Sequence, residues 1–369
     1  MSIYGAQTPN APKFDDQARA YDAILLLSFG GPEGMDDVIP FLEKVAEGRN
    51  IPRERLEEVA EHYYHFDGIS PINGQNRALI AALDAHLKAN GPHLPVYFGN
   101  RNWHPFVTDT VRQMQADGVR RALVFVTSAF SSYSGCRQYR EHVIRALDTV
   151  RAEVPDTPAI TFDKLRVYYN HPGFVAPMIE KARAALAECA PDAPVRVIFT
   201  AHSVPLSMAQ HSDYVVQLEE ACRLVAEGAG VDDYTLAYQS RSGPPHIPWL
   251  EPDINDVLRQ TQADGIAQAV IVPIGFISDH MEVLYDLDGE ARETAADIGL
   301  HLVRAETVGT HPAFVAMIRD LIVERMTANP VRLAWGVRGP NHDVCPLHCC
   351  AKGESARPAA QAGTVSAAP

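Results

Sequence analysis

The sequence lacks long apolar runs and lacks any excess of positive charge. A transmembrane helix needs about 20 consecutive apolar residues, and no such run is present. Residues 1–20 are polar and contain prolines, so we expect neither a signal peptide nor integral membrane association, and we expect a cytoplasmic protein. The formal net charge of -14 argues against nucleic acid as a partner, because nucleic acid attracts basic proteins.

Two fingerprints of common α/β enzymes are also missing. Residues 30–34 follow the first apolar run and are rich in glycine, but they lack the G-x-G-x-x-G spacing of a dinucleotide site. They also carry Glu33 where a phosphate would lie. No G-x-S-x-G turn surrounds Ser203, so a nucleophile elbow is not indicated there. A Rossmann dehydrogenase is therefore disfavoured, and no hydrolase nucleophile is evident.

Cysteine is scarce and unevenly distributed. The six cysteines do not suggest a disulfide framework, because a cytosolic chain keeps its thiols reduced. Cys189 and Cys222 each stand alone in a helix-like stretch, and we expect both to be small buried hydrophobic residues without a chemical role. Cys345, Cys349 and Cys350 instead crowd one short stretch outside any periodic apolar pattern.

What the sequence does contain is an internal repeat. Residues 112–119 (Arg-Gln-Met-Gln-Ala-Asp-Gly-Val) reappear as 259–266 (Arg-Gln-Thr-Gln-Ala-Asp-Gly-Ile), 147 residues further on. Apolar runs alternate with amphipathic stretches in both halves, which is typical of parallel sheets covered by helices. The predicted strands are 23–29, 96–98, 122–127 and 165–169 in the first half, and 196–200, 235–238, 269–274 and 301–304 in the second.

These patterns predict an α/β fold of two similar Rossmann-like domains. Each domain would be a four-stranded parallel sheet flanked by helices, with a cleft between the two. We expect a flexible N-terminus over 1–20, the first domain over 21–148 and the second over 149–310, with a helix at 311–326 completing the first. A cysteine-containing segment follows at 336–352, and the Ala/Pro-rich residues 353–369 are expected to be disordered.

Metal-capable side chains follow two predicted strands of the second half. His202 comes after 196–200, and Glu282 follows 269–274 in a motif that also contains His280. Ligands of open α/β sheets bind outside the carboxyl ends of the strands, so His202 and Glu282 can converge on one small target, which we expect to be a metal ion. Asp286 and Glu290 continue from Glu282 at a spacing of four, which would line three carboxylates along one helix face.

Simpler interpretations of the same residues stay open at this point. His202 could be a hydrogen-bonded core histidine. Asp279 and Glu282 fit a capping box, and a line of carboxylates is commonly a solvated helix face.

Several ordered motifs together resemble the ferrochelatase family over roughly residues 21–326. The stretch 27–32 reads Leu-Ser-Phe-Gly-Gly-Pro, 68–73 reads Gly-Ile-Ser-Pro-Ile-Asn, and 131–134 reads Ser-Ser-Tyr-Ser. Further along, 202–205 reads His-Ser-Val-Pro, 238–241 Tyr-Gln-Ser-Arg, 248–252 Pro-Trp-Leu-Glu-Pro, and 275–282 Gly-Phe-Ile-Ser-Asp-His-Met-Glu.

The resemblance implies a lyase that inserts ferrous iron into a porphyrin held between the two domains. It makes His202 and Glu282 the inner metal-binding pair, with His202 also receiving pyrrole protons, and it makes Asp286 and Glu290 a relay for iron or protons. The residues that it assigns to porphyrin binding are Ser70, Tyr139, Arg49, His62 and Tyr63. Some relatives place a metal-ligating tyrosine after the first strand, where this chain has Glu33.

The sequence most resembles actinobacterial members of the family, which act on coproporphyrin III in haem biosynthesis. Similar actinobacterial enzymes carry a 2Fe-2S cluster on four cysteines, and the resemblance assigns that role here to Cys136, Cys345, Cys349 and Cys350. A structural zinc with His348 as a ligand, or free reactive thiols, are the alternatives for this segment.

Other functions stay open beside this one. The substrate could be protoporphyrin IX, or the chain could be a related chelatase for cobalt or sirohydrochlorin. A haem or iron carrier of the same fold would bind without turnover. The expected small-molecule partners are coproporphyrin III and ferrous iron, and we expect a monomer.

Overall fold

The computed structural model describes residues 13–48 and 51–353 and contains eight strands in that part of the chain. Each predicted apolar run except one lies on a strand. The strands are β1 (Ala23–Ser28), β2 (Val96–Asn100), β3 (Arg121–Val126), β4 (Thr161–Lys164), β5 (Val195–His202), β6 (Tyr234–Gln239), β7 (Gln268–Val272) and β8 (His301–Arg304).

Helices connect the strands and cover the sheets. They are α1 (Val38–Val45), α2 (Arg53–Tyr64), α3 (Ile72–Asn90), α4 (Val107–Ala116), α5 (Gln138–Glu153), α6 (Pro172–Leu186), α7 (Leu206–Ala209), α8 (Tyr214–Ala229), α9 (Ile254–Ala263), α10 (Met281–Val283), α11 (Ala291–Asp297) and α12 (Pro312–Met326). A 3-10 turn lies at Met35–Asp37, and π-helical segments lie at Tyr133–Arg137 and Leu284–Glu290.

The two sheets repeat one topology, which confirms the predicted fold class. The strand orders are β2-β1-β3-β4 and β6-β5-β7-β8, and all pairings are parallel. The sequence repeat has a structural counterpart, because α4 and α9 begin 147 residues apart and so do β3 and β7. A parallel pair requires a crossover, and α4 and α9 each follow an outer strand to supply it.

Burial on both faces explains the apolar runs. In β1, Ile24 and Leu26 pack into a large core that also contains residues of β5 and β7, whereas Leu25 and Leu27 pack under α4 and α5 on the opposite face. Helices α6 and α12 contact each other, and α12 also contacts α3, so the large core continues from one sheet to the other. None of the described helices combines the length and apolar character that crossing a bilayer needs.

The strand predicted at 165–169 is wrong. The strand is Thr161–Lys164, and its pairing with β3 ends where the Leu165 amide donates to the Val124 carbonyl at 2.9 Å. Residues 165–169 are buried because their side chains pack in the core, but they extend past the end of the sheet and do not pair with a neighbouring strand. Because β4 belongs to the first sheet, that sheet takes in residues beyond 148, where the sequence placed a domain boundary.

Residues 327–353 have no regular helix or strand and run back over the body of the protein. The Arg166 guanidinium donates to the Leu333 carbonyl at 2.8 Å, and the Trp335 amide donates to the Asn170 carbonyl at 2.8 Å. The Val337 amide donates to Glu220 at 2.9 Å. These bonds fix the path that brings residues 345–350 beside α5, while residues 1–12 and 354–369 lie outside the described part of the chain.

Candidate active site

His202 is the last residue of β5, and its ring is oriented by its own strand end. Nδ1 bonds the Ser203 carbonyl, which leaves Nε2 as the nitrogen that can accept a proton or a metal. The backbone is fixed on both sides, because the Ser203 amide donates to the Gln239 carbonyl at 2.8 Å and the Tyr214 hydroxyl donates to the His202 carbonyl at 3.0 Å.

Glu282 lies on α10, which follows β7 through a short loop, and its carboxylate reaches two imidazoles. Oε1 is 3.4 Å from Nε2 of His202, and Oε2 is 3.8 Å from Nδ1 of His280. The His202 and Glu282 side chains are 30% and 44% exposed, so this cluster opens to solvent. The predicted convergence of the two strand ends is therefore present.

The capping-box alternative is not what the structure contains. Asp279 accepts from Arg304 at 3.2 Å, and the residue that precedes α10 is His280, whose side chain makes no capping bond. The Glu282 carboxylate is turned toward the histidines instead.

The electrostatics favour one shared proton between His202 and Glu282. Partial desolvation opposes charging of both groups although each keeps some contact with solvent, but the attraction between them outweighs it, so the pKa of His202 is raised and the pKa of Glu282 is lowered. Burial lowers the pKa of His280, which keeps that ring neutral. The cluster therefore consists of an imidazolium, a carboxylate and a neutral imidazole, and a divalent cation could replace the proton.

The acidic line continues along a π-helix rather than the regular α-helix that the spacing predicted. Within Leu284–Glu290 the hydrogen bonds run from i to i+5, a geometry that is frequent at functional sites. Asp286 accepts from the Ser240 hydroxyl and, at 3.3 Å, from the Gln239 amide, which also donates to the Glu282 carbonyl at 2.8 Å. Burial raises the pKa of Asp286 to about 7, and burial also raises the pKa of Glu290.

The residues expected to bind porphyrin come from several elements. Tyr139 is buried, and its ring lies 4.6 Å from the guanidinium carbon of Arg101. Burial raises the pKa of both Tyr139 and Tyr63, and the charge of Glu282 raises both a little further. His62 on α2 stacks on Tyr285 of the π-helix with ring centroids 3.7 Å apart.

Ser70 and Glu33 belong to the region around the loop after β1, where Glu33 pairs with Ile69. Ser70 is buried, and a side chain in place of Gly31 would collide with it, so it packs on the loop after β1. Glu33 forms an ion pair with Arg77 at 2.5 Å, which lowers the pKa of Glu33. Arg49 lies outside the described residues.

Sequence reasoning assigned no role to three side chains at this site. Gln239 and Ser240 are at the end of β6, and Ser240 has a left-handed backbone with φ of 61°, which nothing in the sequence indicates. Arg101 follows β2 and is 5% exposed, and within the described ranges its Nε has no hydrogen-bond partner. The sequence shows that Arg101 follows a predicted strand, but it does not show that the arginine side chain is buried.

The four cysteines predicted to act together do meet. Cys136 comes from the π-helix Tyr133–Arg137, and its thiol interacts with those of Cys345 and Cys350. Cys349 lies 3.6 Å from Cys350, sulfur to sulfur, and it also interacts with Cys345. The left-handed backbone of Cys350, with φ of 53°, lets two adjacent side chains serve one site.

This set fits an iron–sulfur cluster, because a 2Fe-2S centre is held by four thiolates and four thiols converge here in a partly buried position. The zinc alternative with His348 is not supported, since His348 is exposed. His342 is the histidine within reach, with its ligand atom and those of Cys345 and Cys349 all within 4.8 Å of one another.

Comparison with known proteins identifies the family of this chain. The ferrochelatase family model matches residues 21–326, and the chain belongs to that family. A ferrochelatase of Rhodopirellula baltica is 54% identical over 332 residues, covering 89% of this chain and 93% of that protein. A coproporphyrin III ferrochelatase of Streptomyces coelicolor is 52% identical over 366 residues, covering 93% of this chain and 96% of that protein. Among solved structures, SirB from Bacillus subtilis with Fe3+ aligns at a TM-score of 0.49 with 14% identity, over 82% of this chain and 96% of SirB.

Proposed function

We propose that this protein inserts ferrous iron into coproporphyrin III to give Fe-coproporphyrin III, a lyase reaction of haem biosynthesis. The observation that carries the proposal is the facing pair His202 and Glu282, 3.4 Å apart and open to solvent, in a member of the ferrochelatase family. The choice of coproporphyrin over protoporphyrin rests on relatives named as coproporphyrin III ferrochelatases, which are 51–53% identical to this chain.

Iron insertion requires two pyrrole N–H bonds to break as iron takes the place of the protons. A histidine beside a carboxylate can accept such a proton and can also ligate a divalent metal. In our proposal Nε2 of His202 first passes its resident proton to the Asp286 line and then receives the pyrrole protons one at a time, while Glu282 stabilises each imidazolium and contacts the incoming cation. His280, which is neutral, supplies a third donor atom next to Glu282.

The two protons must then leave the pair. Asp286 supports a relay, because its pKa of about 7 allows it both to accept and to release a proton near neutral pH. Gln239 links the Glu282 carbonyl to the Asp286 carboxylate, and Glu290 lies at the far end of the same π-helix. We propose that this line passes protons outward and iron inward.

For the porphyrin itself we propose contacts from Ser70, Tyr139, His62, Tyr63 and Arg49, as the family resemblance implies. An anionic macrocycle needs basic groups near it, and the buried Arg101 beside Tyr139 supports an anchoring role on that side.

We also propose that Cys136, Cys345, Cys349 and Cys350 hold a 2Fe-2S cluster. Such a cluster, when bound, supplies a one-electron redox centre. The proposal is supported by the convergence of the thiols from α5's N-terminal side and from the segment after α12. Arg137 holds the cysteine segment beside Cys136, since it donates to the Leu347 carbonyl at 3.0 Å and to the Cys349 carbonyl at 3.3 Å.

The first experiment is an anaerobic insertion assay with coproporphyrin III and protoporphyrin IX side by side, followed by absorbance. We expect insertion with a preference for coproporphyrin III. His202→Ala should abolish insertion while porphyrin binding, followed by fluorescence quenching, persists. His93→Ala is the matched control, because His93 is exposed.

Each other outcome changes a different part of the proposal. A preference for protoporphyrin IX would keep the enzyme and overturn its substrate. Full activity of His202→Ala would overturn the assignment of the site. Tight binding of haem without any insertion would favour the carrier.

A further inference from the structure

Lys164, the last residue of β4, is a buried cation that has no carboxylate partner among the residues that the structure describes. It is 7% exposed, and among the ion pairs of residues 13–48 and 51–353 none includes it. The carboxylates nearby are already engaged: Glu324 binds Arg166, and Asp343 binds Arg332. A buried ammonium is costly unless another group stabilises its charge, so its surroundings must offset that cost.

The surroundings of Lys164 are thiols. Lys164 lines one cavity together with Cys136, Cys345 and Cys349, and its ammonium is close enough to interact electrostatically with the three sulfurs. Lys164 lies on a strand of the first sheet. Cys136 lies on the π-helix before α5, and Cys345 and Cys349 lie in the segment after α12. Three separate parts of the chain therefore meet at this point.

Two other cations nearby are used differently. Arg137 and Arg140 donate to the Leu347 carbonyl, and Arg137 also donates to the Cys349 carbonyl, so they hold the backbone of the cysteine segment. Lys164 instead presents its charge to the sulfur atoms. The effect of Lys164 on the cysteine site is therefore electrostatic, because its positive charge stabilises negative charge on the thiolates and on a ligand that they hold.

We propose that Lys164 is the charge-compensating residue of the four-cysteine site and sets the reduction potential of the cluster bound there. This inference rests on the proposal that the site holds a 2Fe-2S cluster. Four thiolates around such a cluster carry net negative charge, and reduction adds one further negative charge. A fixed cation in a partly buried site stabilises the reduced form more than the oxidised form, so Lys164 raises the potential.

The test is a potentiometric titration of the anaerobically purified full chain, followed by visible absorbance and by electron paramagnetic resonance of the reduced cluster. Lys164→Met removes the charge and keeps most of the side-chain volume, and Lys164→Arg keeps the charge. Lys88→Met is the matched control, since Lys88 is an exposed lysine on α3. We expect the potential of Lys164→Met to move to more negative values, with Lys164→Arg and Lys88→Met unchanged from the parent protein.

The possible failures are distinguishable. A parent protein purified without iron and sulfide would overturn the cluster proposal, and the inference with it. A cluster present in Lys164→Met at an unchanged potential would overturn the role of Lys164 alone. Loss of the cluster from Lys164→Met with retention in Lys164→Arg would support the charge role, whereas loss from both would overturn it in favour of a packing role.

Discussion

Nε2 of His202 lies 3.4 Å from Oε1 of Glu282, beyond the carboxyl ends of two adjacent strands, β5 and β7. The Ser203 carbonyl fixes the other ring nitrogen of His202, and His280 faces the other oxygen of Glu282. One carboxylate thus joins two imidazoles whose protonation states differ. This arrangement makes the charge of His202 depend on Glu282, and that dependence can be measured.

Glu282→Gln should lower the pKa of His202. Without the carboxylate, burial is left as the dominant influence, and burial favours the neutral ring. An opposite charge at this distance shifts a pKa by about 1 to 3, so the titration of His202 should move down by that amount. The measurement is an NMR pH titration of 15N-histidine-labelled protein. Glu293→Gln, at an exposed carboxylate of α11, is the control, and an unmoved His202 titration in Glu282→Gln would contradict the coupling.

Asp286→Asn should remove an inflection near pH 7 from the pH profile of kcat. The pKa of Asp286 is about 7, and the carboxylate accepts protons in its ionised form, so the rate should rise as pH increases through this value. Loss of one relay group should lower kcat by roughly 100-fold. Asp297→Asn, at an exposed position, should retain both rate and inflection. An inflection that survives in Asp286→Asn would assign it to another group.

Ser240→Ala gives a separate test of the same carboxyl. The Ser240 hydroxyl donates to Asp286, and this bond lowers a pKa that burial otherwise raises. Its removal should therefore shift the inflection to higher pH. A shift to lower pH would show that Ser240 does not stabilise the ionised form.

Glu324→Ala should destabilise the fold by about 3–5 kcal/mol, because it leaves the Arg166 guanidinium buried without its partner. The double variant Arg166→Met, Glu324→Leu should recover much of that loss, since apolar side chains can replace a buried ion pair. Urea denaturation measures both free energies of unfolding. The exposed pair Lys88 and Asp84 is the control, where Asp84→Ala should cost less than about 1 kcal/mol. Equal stability of Glu324→Ala and the parent protein would contradict the expected desolvation cost.

Serine substitutions should separate the cysteines that bind a cluster from those that do not. Replacing Cys136, Cys345, Cys349 or Cys350 individually should lower the visible absorbance and the iron and sulfide content, because the cluster needs four thiolates. Cys189→Ser should leave both unchanged, since Cys189 lies elsewhere, with its thiol bonded to Ala185 of α6. If His342→Ala keeps the cluster, His342 is not a ligand. If His342→Ala loses the cluster and Cys350→Ser keeps it, His342 replaces Cys350 in the ligand set.

Much of the fold follows from local patterns, and the exceptions have physical reasons. The repeat in the sequence predicts β3 and β7, and the position of ligand sites at the carboxyl ends of strands predicts that His202 and Glu282 meet. The error at β4 arose because an apolar run can be buried without pairing, as residues 165–169 are. The π-helix at Leu284–Glu290 could not be told from an α-helix in the sequence, because a spacing of four between carboxylates is compatible with both.

The hydrogen bonds around Asp286 and the position of Lys164 were also beyond prediction. Ser240 contacts Asp286 because β6 pairs with β5 in a fixed register. That register places the end of β6, and Ser240 after it, beside Asp286. A lysine at the end of an edge strand is ordinarily solvated, and nothing local indicates that residues 345–350 will cover it. Contacts between distant segments decide both cases.

The four-thiol site draws one member from the π-helix before α5 and three members from the segment beyond α12. During translation the N-terminal portion emerges first, so Cys136 leaves the ribosome well before its partners. A chain interrupted after Met326 contains every strand of both sheets, and also His202 and Glu282, but it cannot form this site. Occupancy of the site therefore marks molecules whose synthesis has passed Cys350.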